Sequence, residues 1–219
     1  MITDETDPVL VAAADFIAAE SGAVAQVAAS IDDVFLDVAA RLYACTGKVI
    51  VSGVGTSGFM ARRAAHLFSV SGTPAVFIHP TEGMHGSVGA LRAGDIVIVM
   101  SKGGSSSEVN TFVALAQAEG VQVIAITSLA ESRLAELADV TAVLPVDSIT
   151  DPGGVIAMGS TLAHSSWLDA MAYVLMRARG YSWDRVLFTH PGGAVGQVVD
   201  LPAPLPGLTI SGASAPADS

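Results

Sequence analysis

What most constrains this chain is a series of short apolar runs, each followed by a stretch of helical periodicity. Lys48–Ser52 (KVIVS), Ala75–His79 (AVFIH), Asp95–Ser101 (DIVIVMS), Gln122–Thr127 (QVIAIT) and Val140–Val146 are apolar on both faces and rich in β-branched residues. A strand with no polar face must be covered on both sides, and a parallel sheet with helices on each face provides that cover. Ala61–Val70, Thr111–Glu119, Ser132–Ala138 and a long apolar stretch near Ser160–Arg179 supply the helices. The pattern predicts an α/β fold: a five-stranded, parallel, doubly wound sheet with right-handed crossovers, taken in the flavodoxin-like order 2-1-3-4-5.

Before the first strand, Val9, Ala12, Ala13, Phe16 and Ile17, then Val27, Ile31, Val34, Phe35, Val38 and Leu42, recur at helical spacing, and Gly22 predicts a break between two helices. A single domain is expected over residues 1–200, with N-terminal helices at 7–45, the sheet core at 48–146 and C-terminal helices at 160–188. Residues 201–219, rich in Pro, Ala, Gly and Ser, predict a mobile tail.

Charge narrows the partners. Ten Lys and Arg against 21 Asp and Glu give a net charge of −11, which speaks against nucleic acid. An anionic ligand would have to be held by neutral donors: backbone N–H groups, hydroxyls and helix N-termini. Hydrophobic residues make up 51% of the chain and charged ones 14%, a balance that predicts surface buried between subunits. The acidic start MITDETDPVL lacks signal-peptide character, and no apolar run is expected to span a membrane, so no membrane partner is predicted. Cys45 is the sole cysteine, which excludes a disulfide framework and points to the reducing cytoplasm.

Two Gly/Ser loops then stand out. Gly53-Val54-Gly55-Thr56-Ser57-Gly58 lies between the first strand and its helix, where glycines let backbone N–H groups approach an anion. A dinucleotide site would also need an acid near the end of the second strand, but that strand ends Phe77-Ile78-His79-Pro80. Ser101-Lys102-Gly103-Gly104-Ser105-Ser106-Ser107-Glu108 follows the third strand. Its hydroxyls and helix start suit phosphate, while Ser105-x-x-Glu108 also reads as a capping box that needs no ligand. In the 2-1-3-4-5 order these loops meet at the topological switch point, which favours a small phosphorylated ligand between them. Lys102 is one of two lysines and the one placed on that face; Lys48 sits at the opposite edge.

Three further segments carry candidate groups. Thr189-His190-Pro191-Gly192-Gly193 fixes a histidine by its backbone, and a plain turn explains the Pro-Gly-Gly equally well. Pro80-Thr81-Glu82-Gly83-Met84-His85 offers a carboxylate and an imidazole. Ser160-Thr161 opens the long helix and either caps it or reaches the anion, whereas His164 and Asp169 read as core or interface groups. No metal-ligand spacing is present, so no metal and no cofactor are expected.

Taken in order, GVGTSGF, HPTEGMHG, SKGGSSSEV, GST and THPGGAVG resemble the sugar isomerase (SIS) domain, closest to its arabinose-5-phosphate isomerase branch, over about Val27–Gln197. The resemblance supports the 2-1-3-4-5 order and implies a phosphosugar ligand, aldose–ketose isomerisation and a homo-oligomer, usually a tetramer, with sites at subunit interfaces. By position, Ser57, Ser101, Ser106 and Ser107 match phosphate or sugar contacts, Glu108 a catalytic glutamate, His190 the histidine of the HPGG signature, and His85 the histidine of the second-strand loop. Gly55, Thr56, Ser105, Ser160 and Thr161 join the expected binding set, and Lys102 the catalytic one. The chain departs from that branch at Thr56 (lysine there), Phe59 (histidine), Lys102 (asparagine) and Ile149 (glutamate), and the pair of CBS domains that often follows HPGG is not in these 219 residues. Two rivals follow: a non-catalytic phosphosugar sensor and, less favoured, a dinucleotide-dependent oxidoreductase.

Overall fold

The computed structural model describes residues 7–144 and 146–213, so the acidic start, Pro145 and the end of the expected tail lie outside it. Helix α1 (Pro8–Gln26) is capped by the Asp7 carboxylate, which accepts from Val9 N, and Pro8 opens its first turn. The helix runs through Gly22 without a break, contrary to the sequence expectation. The chain turns instead at a 3-10 segment, Val27–Ser30, and helix α2 (Asp33–Ala44) starts afresh under the Asp32 cap. A second expectation also fails: by length and composition the continuous run Pro8–Ser30 is apolar and long enough to cross a membrane. Here it packs on the long C-terminal helix and leaves Val9, Leu10, Val11 and Ile17 exposed.

Next come strand β1 (Val49–Gly53), helix α3 (Gly55–Val70), strand β2 (Ala75–Phe77) and helix α4 (Pro80–Met84). Strand β3 (Ile96–Met100), helix α5 (Ser107–Ala118), strand β4 (Gln122–Thr127), helix α6 (Arg133–Leu137) and strand β5 (Val140–Val143) complete the sheet region. Helices α7 (Gly159–Ala178) and α8 (Trp183–Phe188) close the order. The sheet is wholly parallel, in the order β2-β1-β3-β4-β5, and β1 pairs with β3 from Val49↔Ile96 to Gly53↔Met100.

Alternation along the strands builds two cores. Val49, Val51, Ile98, Met100, Ile124 and Ile126 pack against Phe35, Leu42, Phe68 and Trp167 of α2, α3 and α7. Ile50, Val97, Val99 and Val123 pack on the other face against Phe112 and Leu134 of α5 and α6. Each such aromatic or aliphatic side chain contributes about 1.5–3 kcal/mol on burial, so the doubly wound arrangement stabilises both faces. The residues from Leu201 to Ala213, expected as part of a mobile tail, lack regular structure but fold back on the body. Ile210 is buried in the α7 core, Pro206 O accepts from Arg177 Nε at 2.8 Å, and Ala203 O accepts from Trp183 Nε1 at 3.1 Å.

Candidate functional site

The parallel sheet sends the ends of β1 and β3 to one edge, side by side, and both Gly/Ser loops emerge there. The first is hardly a loop at all, because α3 begins at Gly55 and makes the Gly-x-x-Gly part its opening turn. Gly58 lets that turn lie close on β1: a Cβ there would stand 2.7 Å from Gly53 O. In the second loop Ser101 Oγ accepts from Gly104 N at 3.2 Å and shapes the turn, so this buried hydroxyl has a structural partner. Gly104 takes φ +62°, and any Cβ would run into the Ser132 side chain. Asn110 Nδ2 and Leu134 N both donate to Gly104 O, which pins the turn to α5 and α6.

How the helix N-termini are satisfied singles out this edge. Helices α1, α2, α4, α6 and α8 are capped by the side chains of Asp7, Asp32, His79, Ser132 and Ser182. Helix α7 has no cap from its N-cap Met158, but the distant Asp151 Oδ1 accepts from Met158 N at 2.8 Å and Ser160 N at 3.1 Å. Helices α3 and α5, with Val54 and Ser106 at N-cap, have no side-chain cap bond among the described residues. Their first N–H groups therefore point their dipoles outward at the switch point, the arrangement that binds anions. The capping box that Ser105-x-x-Glu108 offered as the alternative to a ligand does not form: α5 starts at Ser107, and Glu108 Oε2 accepts from Ser107 Oγ at 3.2 Å rather than reaching back to Ser105.

The remaining expected residues divide. Gly55, Thr56, Ser105 and Ser107 are exposed at the two helix starts, and Ser57, Ser106 and Glu108 are half-buried there. Ser160 and Thr161 are buried, and Thr161 Oγ1 donates to Met158 O at 2.8 Å within its own turn, so it is not presented to a ligand. The Ser160 hydroxyl lies beside Asp151 without an aligned partner. Lys102 lies on the expected face but is ion-paired: Nζ stands 2.6 Å from Asp151 Oδ2 and donates to Gly154 O at 3.2 Å. His85 is the exposed C-cap of α4.

His190 lies elsewhere. Its Nδ1 donates to Val186 O at 2.7 Å, since a carbonyl only accepts, which leaves Nε2 for an outside partner. Its ring meets His66 at 6.5 Å between centroids. His66 sits nine residues beyond Ser57 on α3, roughly 13 Å along the axis at 1.5 Å per residue. His190 is therefore not gathered with the two loops of its own chain.

Sequence reasoning missed three groups. Arg62, one turn beyond Gly58, stacks over Phe77 at 4.2 Å from the ring centroid and lines two adjoining clefts of 230 and 280 Å³, shared with Gly55, His79, Glu82 and Ser87. The cation lies four residues past the last glycine on the helix face, a spacing that would have revealed it. His79 Nδ1 accepts from Thr81 N at 3.2 Å, so this histidine caps α4 at the end of β2, where a dinucleotide site needs an acid. Asp151, in the segment before α7, is 1% exposed. Desolvation by burial pushes its carboxyl up, but the Lys102 ammonium, Ser160 and the Met158 N–H outweigh that and hold it at about 2. His164, wholly buried, bonds Ser128 Oγ through Nε2 at 2.9 Å, and burial pushes it down to about 4 against the opposing Leu144 backbone.

A parallel β2-β1-β3-β4-β5 sheet with helices on both faces defines a class: doubly wound α/β domains. Within it, the chain belongs to the SIS domain family, matched over residues 42–174. It is 35% identical over 183 residues to arabinose 5-phosphate isomerase KdsD of Shigella flexneri, covering 84% of this chain and 56% of the relative. The Salmonella typhi KdsD is 38% identical over 157 residues, covering 72% and 48%. The chain thus spans about half the length of these curated relatives. Among solved structures, an Escherichia coli CFT073 protein in complex with arabinose 5-phosphate superposes with a TM-score of 0.81 at 30% identity, over 85% of this chain and all of that one.

Proposed function

We propose that this protein is a phosphosugar aldose–ketose isomerase of the arabinose-5-phosphate type. The observation that carries the reading is the contrast in helix capping: α3 and α5, which flank the switch point, present uncapped N-termini to the same space. Those N–H groups, with Ser57, Ser105, Ser106 and Ser107, hold the phosphate. The likeness to two KdsD isomerases and to a protein complexed with arabinose 5-phosphate supports the choice of sugar phosphate.

The reaction moves one proton between neighbouring carbons and needs a base, donors for an enediolate oxygen and a group to serve the ring or hydroxyl oxygen. Glu108, in the first turn of α5, is the base: it takes the proton from C2 and returns it to C1. Lys102 stabilises the negative oxygen formed between those steps. His190, whose Nε2 is open, serves the oxygen in the site of a neighbouring subunit, because its own chain holds it far from the loops. This completes a homo-oligomer, a tetramer by family resemblance, acting in the cytoplasm. The exposed apolar face of α1 supports such an assembly.

A second reading is favoured by one observation. Ile149 is 70% exposed on the same edge, where the isomerase branch has a glutamate, and this suits a sensor that binds phosphosugar without turning it over. Incubation with pentose and hexose phosphates in heavy water separates the two. The isomerase exchanges the C2 proton with solvent, whereas binding without exchange for every sugar would leave the sensor.

A further inference from the structure

The strongest unassigned feature at this edge is the Lys102–Asp151 pair, which ties three elements together. Lys102 O accepts from Ser128 N and Thr127 Oγ1, each at 3.0 Å, which fastens its backbone to the end of β4. Its side chain crosses to Asp151 and Gly154, in the segment that leads into α7. Asp151 is spent on structure from every side: Oδ1 takes two backbone N–H groups at the α7 start, Oδ2 takes the ammonium, and the buried Ser160 lies against it. The lysine side chain remains 32% exposed, and Asp151 and Gly154 take two of the three ammonium donors, which leaves one without a partner among the described residues. Helix α5 begins five residues later at the same edge.

We propose that Asp151 is a positioning residue: it fixes Lys102 so that the ammonium stands as a rigid donor to the anionic substrate bound at the α5 N-terminus. The inference rests on the phosphosugar reading for its ligand, but not on turnover. A flexible lysine would lose rotamer freedom on meeting the ligand, and Asp151 removes that cost before binding. Position and charge then predict opposite signs. As a bare charge Asp151 repels a phosphate, so neutralising it should tighten binding; as a positioner its loss weakens binding.

The experiment measures arabinose 5-phosphate and inorganic phosphate affinity by calorimetry on the intact protein. Asp151→Asn keeps an acceptor for the α7 N–H groups but drops the charge that holds Nζ. It is expected to weaken arabinose 5-phosphate binding about tenfold, and Lys102→Gln/Asp151→Asn is expected to bind no more weakly than Lys102→Gln alone. Unchanged or tighter binding by Asp151→Asn, or additive losses in the double variant, would overturn the role. If melting curves show that Asp151→Asn does not fold, Lys102→Arg decides. It preserves the charge but displaces the donor, so a several-fold loss supports positioning and wild-type affinity overturns it. Wild-type protein that binds the sugar phosphate but exchanges no C2 proton would refute the isomerase and leave this test intact. Wild type that binds neither anion would end both.

Discussion

The two edges of the sheet carry the same ion pair in different settings. At the amino edge, Lys48 Nζ meets Asp95 Oδ2 at 2.6 Å; at the carboxyl edge, Lys102 Nζ meets Asp151 Oδ2 at 2.6 Å. Both aspartates are buried and both lysines about one-third exposed. Asp95 also accepts from Lys48 N and Arg92 N at 2.9 Å each, so the pair closes a knot between neighbouring loops. The carboxyl edge differs through what lies beside its pair, two helix starts that no side chain caps among the described residues. A lysine–aspartate pair is therefore no marker of function by itself, and the two edges differ in the donors left open beside it.

The largest effect that would sharpen the contrast comes from Glu108→Gln. The amide has the carboxylate's shape but cannot take a proton, so C2-proton exchange should vanish while phosphosugar affinity stays within about tenfold, some 1.4 kcal/mol. Deuterium exchange and calorimetry on the same sample decide this. Exchange at the wild-type rate would move the base to Glu82, His85 or His190.

Ser106→Asp comes next. It gives α5 the kind of cap that Asp7 and Asp32 give α1 and α2, and places a negative charge where the phosphate would sit. Stability should rise by up to about 1 kcal/mol, while phosphosugar affinity should fall by roughly a hundredfold or more. A variant that is more stable and still binds would show that the open N-terminus of α5 is not the anion site.

At the other edge the expectation reverses. Asp95→Asn removes the charge from a buried carboxylate with three donors, and should cost about 1–3 kcal/mol in denaturant unfolding. Phosphosugar affinity should stay within about twofold. A large loss of affinity would mean that the two edges are coupled through the strands and that the comparison is too simple.

These contrasts also mark how far the sequence could be read. The covered parallel sheet was legible because runs such as Asp95–Ser101 are apolar on both faces, while the strand order, and the switch point with it, drew its support from the family resemblance. The two loops were legible because Gly and Ser at strand ends have few other uses. The Gly22 break failed because one glycine costs a helix only about 1 kcal/mol, and neighbours of good propensity carry the helix across it. The partner of Lys102 lies 49 positions along the chain, and only the folded crossover brings Asp151 beneath it. No local spacing encodes that contact, nor the return of Ile210 to the α7 core.

The smallest effect distinguishes the edges by pH. Asp95 has its carboxyl lowered: desolvation raises it, but Lys48 and the two backbone N–H groups outweigh that. Asp151 is held at about 2. Both pairs therefore contribute their stability in full above about pH 5 and lose it progressively as pH falls through the unfolded carboxylate range. His164, beside the carboxyl edge, works in a different window. Its folded value of about 4 lies below the unfolded 6.5, so the unfolded chain binds the extra proton between those values. Stability from neutral His164 is thus complete above about 6.5 and falls as pH drops toward 4, by at most about 1.4 kcal/mol per pH unit. His164→Gln can still bond Ser128 Oγ but has no proton to gain, so its unfolding free energy should lack that slope from pH 6.5 to 4. Asp95 and Asp151 are present in both proteins, so their own slope, which begins near about pH 5, cancels in the comparison. If wild type and variant show the same slope in urea titrations across this window, the acid sensitivity belongs to other groups and the buried imidazole contributes only packing.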